Sequence, residues 1–407
     1  MRVAVIGGGA AGFFAAVNVK DNYPTAEVTL LEKTTKLLAK VSVSGGGRCN
    51  VTNGTTSIKE LCDGYPRGAK PLKKLFKIFK TTDTKEWFES RGVPLKTEDD
   101  NRVFPVSNNS QSIIDCLMQE CQKLKIEIRT KANVTKLEPE GDKMVLHFQD
   151  ESEKVFDKVI IASGGSPKRS GLEWLGELGH QIVDPVPSLF TFNMPSESIK
   201  ELMGVVAENT IVTIEGSKLR STGPILITHW GMSGPAILKL SSLGARELYE
   251  KKYKFTAQVN WVKENNQDHV KEELMAIISS HPKKLLQNIK PFNLPNRLWL
   301  FLLAKCEFSE TKIWAELGKK GVNKMIKHLC NDTYQVNGKT TFKEEFVTCG
   351  GVSLDSIDML TLQSKRCNNI YFAGEVIDID GITGGYNFQA AWTTAFIASK
   401  LGETKNP

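Results

Sequence analysis

Short apolar runs that end in glycine mark three places along this chain. Residues 3–6 form an unbroken apolar run, three glycines follow it, and a second apolar stretch covers 13–19. A run of this length bounded by glycine is typical of a buried parallel strand, and the stretch after it is typical of a helix. The runs within 158–165 and 369–375 end in the same way. The pattern predicts an α/β fold whose parallel sheet draws on both halves of the chain.

The glycines after the first run fit a dinucleotide-binding pattern. Gly7, Gly9 and Gly12 match G-x-G-x-x-G. In that pattern the first glycine permits the turn, the second admits a pyrophosphate, and the third lets helix and strand pack closely. A second predicted strand, 27–31, is followed by Glu32, an acid placed where it can bind a ribose hydroxyl. The alternative is a glycine-rich turn that only joins a strand to a helix.

A second glycine-rich segment, 44–53, is rich in hydrogen-bond donors. Three consecutive glycines lie between a serine and Arg48, and two asparagines and a threonine follow. Such a loop can wrap a phosphate or the edge of a heterocycle, although a polar surface loop is the alternative. Cys49 could act as a nucleophile, but no histidine or second cysteine lies near it in sequence, which disfavours that role.

The middle of the chain has a different pattern. From about residue 189, short strands alternate with turns, which predicts a β-rich insert over 189–345. Within it, a helical period over about 265–331 predicts a small helical subdomain. The flanking residues, 1–188 and 346–407, are then expected to form one discontinuous α/β domain.

A polar turn at 228–233 lies within the predicted insert. His229 is a candidate for proton transfer or substrate binding, because histidine is the side chain that changes charge near neutral pH. A structural histidine at a strand end is the alternative. Ser233 is predicted to cap a helix that begins near Pro235.

Residues 67–80 predict an amphipathic basic helix. Six lysines and arginines alternate there with leucine, isoleucine and phenylalanine. The simplest interpretation is a solvated helix face. The alternative is a contact surface for nucleic acid.

Composition narrows the class of protein. The 407 residues exceed one compact core, so two or three domains are expected. A net charge of +7 is compatible with an anionic cofactor or nucleic acid without requiring either. Eight cysteines without a C-x-x-C pair indicate a reduced, cytoplasmic protein rather than a disulfide framework or a zinc ribbon. No run is long enough to span a bilayer, and the glycines at 7–9 argue against a signal peptide.

Six segments together resemble one known family, the BaiN-like family of bacterial FAD-dependent oxidoreductases, and the likeness spans nearly the whole chain. The segments are 7–12, 32–33, 44–53, 228–238, 348–353 and 374–389. The patterns S-G-G-G-R-C-N-x-T-N and G-E-x-x-D-x-D-G-x-T-G-G-Y-N-x-Q, in the third and last segments, are far more specific than the dinucleotide loop. Ser163 is a mild departure, because the family often has threonine there.

The resemblance implies a Rossmann-like FAD-binding domain with a dinucleotide-binding βαβ unit, interrupted by a β-barrel-like domain that carries a helical subdomain. The resemblance implies FAD as the cofactor and NADH or NADPH as the reductant. Because the sequence has no second G-x-G-x-x-G, the nicotinamide is expected to visit the flavin transiently, or another donor is used. The residues predicted to bind FAD are Gly7, Gly9, Ala10, Ala11, Gly12, Glu32, Lys33, Lys40, Ser44, Gly45, Gly46, Arg48, Cys49, Asn50, Thr52, Asn53, Val134, Ala162, Ser163, Gly164, Gly374, Glu375, Asp380, Gly384, Gly385, Tyr386, Asn387, Phe388 and Gln389.

The last of these segments leads into an alanine-rich helix that is predicted to face the flavin ring. Gly384 and Gly385 come just before that helix, whose N-terminus would present backbone N–H groups and a positive dipole. A reduced isoalloxazine carries negative charge at its N1 edge, so a helix end there favours the reduced state.

The resemblance fixes the cofactor better than the substrate, because family members have been linked to reduction of a steroid enone, oxidation of a small amine and reduction of uridine in ribosomal RNA. The leading hypothesis is hydride transfer from NAD(P)H through FAD to a polarised C=C bond, enone-like or uracil-like. The alternatives are a flavin oxidase of a small amine and a dihydrouridine synthase whose 67–80 helix contacts ribosomal RNA. His229 is the candidate acid, and Arg48 is an alternative that could only polarise a carbonyl.

Overall fold

The computed structural model describes residues 1–340 and 347–403. Its strands are β1 (Arg2–Ile6), β2 (Glu27–Leu31), β3 (Thr52–Asn53), β4 (Leu95–Thr97), β5 (Arg102–Pro105), β6 (Glu127–Arg129), β7 (Val134–Glu140), β8 (Lys143–Phe148), β9 (Glu153–Phe156), β10 (Lys158–Ile161), β11 (Ile182–Ser188), β12 (Thr191–Asn193), β13 (Val206–Ile214), β14 (Arg220–Thr228), β15 (Gly231–Ser233), β16 (Lys254–Asn260), β17 (Asp332–Asn337), β18 (Lys339–Thr340), β19 (Val347–Val352) and β20 (Ile370–Phe372). Its α-helices are α1 (Ala10–Asn22), α2 (Ala39–Gly47), α3 (Ile58–Asp63), α4 (Ala69–Leu75), α5 (Thr81–Glu89), α6 (Gln111–Lys123), α7 (Glu173–Gly176), α8 (Pro235–Leu243), α9 (Ala245–Glu250), α10 (Gln267–Ser280), α11 (Asn296–Lys305), α12 (Gly318–Cys330) and α13 (Tyr386–Ala398).

These elements form two compact units. Residues 1–188 and 347–403 make up the first unit, and residues 189–340 make up the inserted unit. The first change of unit follows Ser188, which is also where the sequence changes pattern. The second predicted boundary, at 345/346, lies outside the described residues.

A five-stranded parallel sheet forms the centre of the first unit. Its order is β20-β10-β1-β2-β6, and each ladder is parallel. The apolar runs near 158 and 369 therefore lie beside the first run, as their pattern predicts. Helices α1 and α13 are buried along most of their length, which explains why both are apolar on nearly every face. The predicted α/β class with a parallel sheet is confirmed.

An antiparallel sheet of seven strands forms the inserted unit, in the order β17-β16-β13-β14-β15-β12-β18. The two outer strands of that order, β17 and β18, are separated in the chain by Gly338 alone. The amide of Gly338 donates to the Tyr253 carbonyl at 2.8 Å, and its carbonyl accepts from the Asn193 amide at 3.1 Å. One glycine thus joins both ends of the sheet, which makes the sheet barrel-like.

Three longer helices form the helical part of the inserted unit. Helices α10, α11 and α12 fall within 267–330 and bury a core that includes Trp261, Trp299 and Trp314. The rings of Trp299 and Trp314 stack 6.3 Å apart with an interplanar angle of 10°. Such aromatic pairs add stability beyond their buried area.

The basic helix predicted over 67–80 is shorter than expected. Only Ala69–Leu75 is α-helical, and α5 begins separately at Thr81. Residues 77 and 78 make hydrogen bonds three residues back instead of four, which tightens and ends the helix. The Asp83 carboxylate then accepts the amide of Lys80 and starts α5. The amphipathic pattern is therefore shared between a short helix and a turn.

The prediction that Ser233 caps a helix is also wrong. Ser233 belongs to β15 and pairs with Leu226 of β14, so its backbone is drawn into the sheet. Gly234 is the N-cap residue of α8, with a φ of 96°. Pro235 opens the helix, as predicted. Within the described part of the chain, no helix is both long and apolar enough to cross a membrane.

Candidate functional site

In the turn between β1 and α1, Gly12 is tightly packed whereas Gly9 faces open space. A side chain at Gly12 would begin 1.8 Å from the Gly7 carbonyl oxygen, so glycine is needed for the helix to lie against the turn. A side chain at Gly9 would meet no heavy atom of the described residues within 4 Å. Helix α1 begins at Ala10 without a side-chain cap. An open approach in front of uncapped N–H groups suits a pyrophosphate.

Glu32, the predicted ribose-binding acid, is half-buried directly after β2. Its carboxylate accepts the Gly8 amide at 2.8 Å and the amide and hydroxyl of Thr34 at 2.8 and 2.9 Å. These bonds fix the carboxylate beside the glycine turn and leave lone pairs for a further hydroxyl. Of the other residues predicted at this end, Lys33 is exposed and Val134 is buried at the start of β7.

Hydrogen bonds bring the glycine-rich segments together within the first unit. The Leu38 amide, just before α2, donates to the Gly8 carbonyl at 2.8 Å. The Asn53 side chain donates to the Gly384 carbonyl at 2.9 Å across 331 residues of sequence. The predicted loop at 44–53 and the predicted flavin segment at 374–389 are therefore neighbours.

The structure gives Cys49 a packing role. Its side chain is fully buried, and burial raises the pKa of its thiol to about 12. A thiol in that state is protonated at neutral pH and unreactive as a nucleophile. Its amide donates to the Ser44 carbonyl at 2.9 Å, which closes the turn that contains Gly45 and Gly46.

Arg48 is held by two residues that the sequence did not indicate. Its guanidinium carbon lies 3.8 Å from the centre of the Phe104 ring, and one nitrogen contacts the Glu98 carboxylate at 2.7 Å. Glu98 also pairs with Arg102 at 3.3 Å. Stacking plus an ion pair fixes a planar cation in one orientation. The contacts of Phe104 and Glu98 with Arg48 could not be predicted, because both residues lie about 50 residues further along the chain in a β-hairpin of ordinary composition.

Lys40 and Glu375 form an ion pair with a nitrogen–oxygen distance of 2.5 Å. The second carboxylate oxygen of Glu375 accepts the amide of Thr348 at 2.8 Å. The hydroxyl of Thr348 is buried and has no hydrogen-bond partner among the described residues. A buried hydroxyl without a partner is costly, so this atom is suited to a ligand or an ordered water. Thr348 is a candidate that sequence reasoning left out of the binding set.

Further open space lies at the carboxyl end of β10. Ala162 is buried after the strand, Ser163 is exposed, and a side chain at Gly164 would meet no heavy atom of the described residues within 4 Å. This edge is the carboxyl end of a parallel strand, where ligands of doubly wound sheets bind.

Helix α13 begins at Tyr386 with uncapped N–H groups, directly after Gly384 and Gly385. A side chain at Gly385 would begin 2.3 Å from the carbonyl of Thr52, so the chain can pass there only as glycine. Inside the helix, Gln389 is fully buried and accepts hydrogen bonds from Thr52 at 2.5 Å and Thr84 at 2.9 Å. Gln389 therefore holds the segment in place instead of presenting a free amide.

The remaining members of the C-terminal segment also bind protein groups. Asn387 accepts the Gly381 amide and donates to the Gly381 carbonyl, each at 2.9 Å. Phe388 stacks on Trp392 with ring centres 5.7 Å apart. Asp380 is buried and paired with Arg67.

His229 lies in the inserted unit, between β14 and β15, and its side chain is exposed. Its ring packs edge-on against Trp230 with ring centres 4.5 Å apart. The Trp230 indole donates to the Thr191 hydroxyl at 2.9 Å. An exposed imidazole on a fixed aromatic support is accessible for proton transfer.

Four lysines of the 67–80 segment differ from its arginine in exposure and in ion pairing. Lys70, Lys73, Lys74 and Lys77 are exposed, and none has an ion-pair partner among residues 1–340 and 347–403. Leu72 and Leu75, on the other face, are fully buried. We call these four lysines the lysine face. Arg67 is no part of it.

The residues present fit a dinucleotide. The Gly9 approach is open, Glu32 is fixed beside it, and the buried Thr348 hydroxyl has no hydrogen-bond partner among the residues that the structure describes. FAD contains both a pyrophosphate and a ribose for the first two features, so the first unit can hold it with the residues already described.

Comparison with known proteins agrees with this architecture. A family model described as "HI0933-like protein Rossmann domain" matches residues 1–401. A solved structure of 3-ketosteroid delta1-dehydrogenase from Sterolibacterium denitrificans superposes with a TM-score of 0.51 at 11% identity and covers 98% of each chain, which is a likeness of fold.

Two similar proteins have names that state an activity. The chain is 26% identical over 407 residues to a 3-dehydro-bile acid delta(4,6)-reductase of Clostridium scindens, which covers 98% of both chains. It is 26% identical over 405 residues to a ribosomal RNA dihydrouridine synthase of Haemophilus influenzae, which covers 96% of both chains.

Proposed function

Because the chain belongs to the HI0933-like Rossmann-domain family, we propose that it is an FAD-dependent oxidoreductase that uses NADH or NADPH to reduce a polarised C=C bond. The observation that carries this proposal is the open approach at Gly9, set between a fixed acid and the uncapped start of α1. The first unit would hold FAD, which supplies two-electron hydride chemistry when bound. One similar protein is named as a reductase of a bile acid and the other as a synthase of dihydrouridine in ribosomal RNA, which supports an enone-like or uracil-like acceptor.

The chain's own residues would bind, orient and protonate. Glu32 would accept a ribose hydroxyl, and the uncapped N–H groups of α13 would face negative charge on the ring. Arg48, fixed on Phe104, would polarise a carbonyl of the acceptor. His229 would donate the proton that must accompany a hydride added to C=C.

The decisive experiment is anaerobic reduction of the purified yellow protein by each nicotinamide, followed by rapid mixing with an acceptor. A steroid enone, a uridine-containing RNA fragment and air are the three acceptors. We expect fast flavin reduction and fast reoxidation by the enone or the RNA. Fast reoxidation by air with slow reduction by both nicotinamides would favour an amine oxidase instead. Acid-released flavin that is FMN, or no flavin after reconstitution, would refute the cofactor.

A second candidate function is dihydrouridine synthesis on ribosomal RNA, and the lysine face favours it. Four exposed lysines, which have no ion-pair partner within the described part of the chain, form a cationic surface that suits phosphates. Changing all four to glutamine should weaken binding to an RNA fragment and reduce the salt slope by about 0.7 for each lost phosphate contact.

A matched control is available in the inserted unit. Lys283, Lys284, Lys319 and Lys320 are equally exposed, so their change to glutamine alters net charge by the same amount. Equal loss of RNA binding in both variants would indicate a general charge effect and would remove the lysine face from the proposal.

A further inference from the structure

Arg67 belongs by sequence to a basic surface, yet it is turned away from that surface. Its side chain is 17% exposed and forms a two-nitrogen ion pair with Asp380, whose side chain is fully buried. Two parallel hydrogen bonds from a guanidinium fix both partners in direction as well as distance. Ser188 donates to the same carboxylate at 2.8 Å. Both oxygens of Asp380 therefore have protein partners.

Residues just before Arg67 contact the same part of the chain as Asp380. Arg67 and Asp380 form an antiparallel β-bridge. The amide of Ile382 donates to the Gly64 carbonyl at 2.9 Å. The hydroxyl of Tyr65 donates to the Tyr386 carbonyl at 2.7 Å. Segment 64–68 is thus attached to the loop at 380–386 at three places, through Gly64, Tyr65 and Arg67.

That loop is the one predicted to border the flavin ring, and it leads directly into α13. It contains three glycines, which restrict the backbone little by themselves. Its shape must come from contacts elsewhere, and segment 64–68 supplies several of them. The orientation of the α13 N-terminus consequently depends on a segment more than 300 residues earlier in the chain.

We propose that Arg67 is a positioning residue for the flavin site, which fixes the 380–386 loop through Asp380 without touching the cofactor. The proposal rests on the proposed function for the identity of the cofactor. It changes the role of Asp380, which was predicted to bind FAD and instead anchors the loop. It also explains why the basic pattern at 67–80 starts with an arginine and continues with lysines, because only arginine offers the two-pronged geometry.

The test compares Arg67→Met with Arg91→Met. Arg91 is a matched control in the same unit: its side chain is 20% exposed and pairs with Asp21 at 2.8 Å and Glu120 at 3.3 Å. Both variants lose a guanidinium that pairs with acids, so both should lower the melting temperature. Only Arg67→Met should weaken FAD binding, by roughly tenfold, as expected for a residue that supports a ligand contact.

Two further measurements separate positioning from general stability. The flavin midpoint potential should shift in Arg67→Met alone; a tenfold change in relative affinity for the two redox states equals about 30 mV for a two-electron couple. Hydrogen exchange at the amides of Gly381 and Ile382 should accelerate in Arg67→Met and stay unchanged in Arg91→Met. Arg67→Lys keeps the charge with a single donor group and should lie between wild type and Arg67→Met in all three readouts.

Equal values for Arg67→Met and Arg91→Met in affinity, potential and exchange would overturn the proposal. If Arg67→Met fails to fold, Ser188→Ala removes one hydrogen bond to the same carboxylate and should produce the same changes on a smaller scale. Wild-type protein that binds no FAD would refute the proposed function, whereas the exchange measurement would still decide whether Arg67 fixes the loop.

Discussion

Each unit buries one aspartate among the described residues, and the two are stabilised differently. In the first unit, burial raises the pKa of the Asp380 carboxyl, although Arg67 opposes that rise. In the inserted unit, burial also acts to raise the pKa of Asp332, but a hydrogen bond from His328 and the nearby charge of Lys305 hold it below its usual value.

The partners show what each aspartate does. Asp332 accepts the Trp261 indole at 3.1 Å and the Tyr334 hydroxyl, both from the sheet side, while His328 and Lys305 come from α12 and α11. It joins helices to a sheet inside a filled core. Asp380 instead holds a glycine loop in a unit that leaves open space at its sheet edge. Buried charge therefore supports a filled core in one unit and holds a glycine-containing loop in the other.

The largest expected effect comes from filling the open space of the first unit. Gly9 has an extended φ of −96° and room for a side chain, so Gly9→Val should fold normally. The valine would occupy the pyrophosphate space, and retained FAD should fall from stoichiometric to undetectable by absorbance. Gly176→Ala, in a helix with nearest contact at 3.7 Å, is the control. Unchanged flavin content in Gly9→Val would remove the open space from the binding site.

The buried aspartate of the inserted unit has a packing role, and a change at His229 tests whether that unit also contributes to catalysis. His229→Ala should leave FAD binding and flavin reduction near wild type but slow reoxidation by the acceptor roughly 10²–10⁴-fold, because general acid catalysis is lost. His281→Ala changes another exposed histidine of the same unit and should have no effect. Full turnover in His229→Ala would remove His229 as the acid and leave the proton donor unidentified.

Asp332→Asn tests the packing role directly. Loss of a buried charge with four partners should lower the free energy of unfolding by about 3 kcal/mol at pH 7, with FAD affinity unchanged. Since the folded pKa of Asp332 is lowered, its contribution is present above the unfolded pKa and is lost as pH falls through the folded value. The difference from wild type should thus shrink below about pH 4.

Denaturant unfolding measured at a series of pH values gives both the loss of unfolding free energy and its pH dependence. Glu247→Gln, which breaks an exposed pair 3.8 Å from Lys251, is the control and should change stability little. A constant difference between Asp332→Asn and wild type down to pH 3 would contradict the assignment.

The smallest expected effect belongs to His180, a structural histidine of the first unit. It is buried, contacts the Leu175 carbonyl at 2.9 Å and the Ser364 hydroxyl at 2.7 Å, and burial lowers its pKa from 6.5. The unfolded chain then binds the extra proton first, so stability should decline as pH falls below 6.5, by up to about 1.4 kcal/mol per pH unit. His180→Gln should flatten that slope in pH-dependent melts, and His269→Gln, at an exposed site, should not.

Local sequence patterns were sufficient to predict the structure where neighbours in sequence are also neighbours in space. The turn with Gly7, Gly9 and Gly12 could be predicted because strand, turn and helix follow one another and each has its own hydrophobic period. The parallel sheet followed from the same logic applied at 158 and 369. Helices α10 to α12 have a clear 3.6-residue period and lie where that period predicts.

Prediction failed where distant residues decide the local structure. The helix at 67–80 was predicted to start too early because Arg67 pairs with a residue 313 positions away, which no local period reveals. Its early end is a local effect of the turn at 77–78. Ser233 has the chemistry of a cap, but pairing with β14 takes its backbone into a ladder. Thr348, Phe104 and Glu98 have ordinary sequence surroundings, and only the fold brings them to the glycine loops.

The interrupted course of the first unit has a consequence for synthesis on the ribosome. The inserted unit is continuous and is available to fold once residue 340 has emerged, whereas the parallel sheet lacks β20 and the first unit lacks α13 until Ala398 is made. At ordinary translation rates that interval is roughly 3–12 s. During it, β10 lacks its neighbour β20 and the parallel sheet is incomplete. An unpaired strand of this kind is prone to aggregation. The cofactor, if it enters through the Gly9 approach and against α13, arrives as one of the last events of folding.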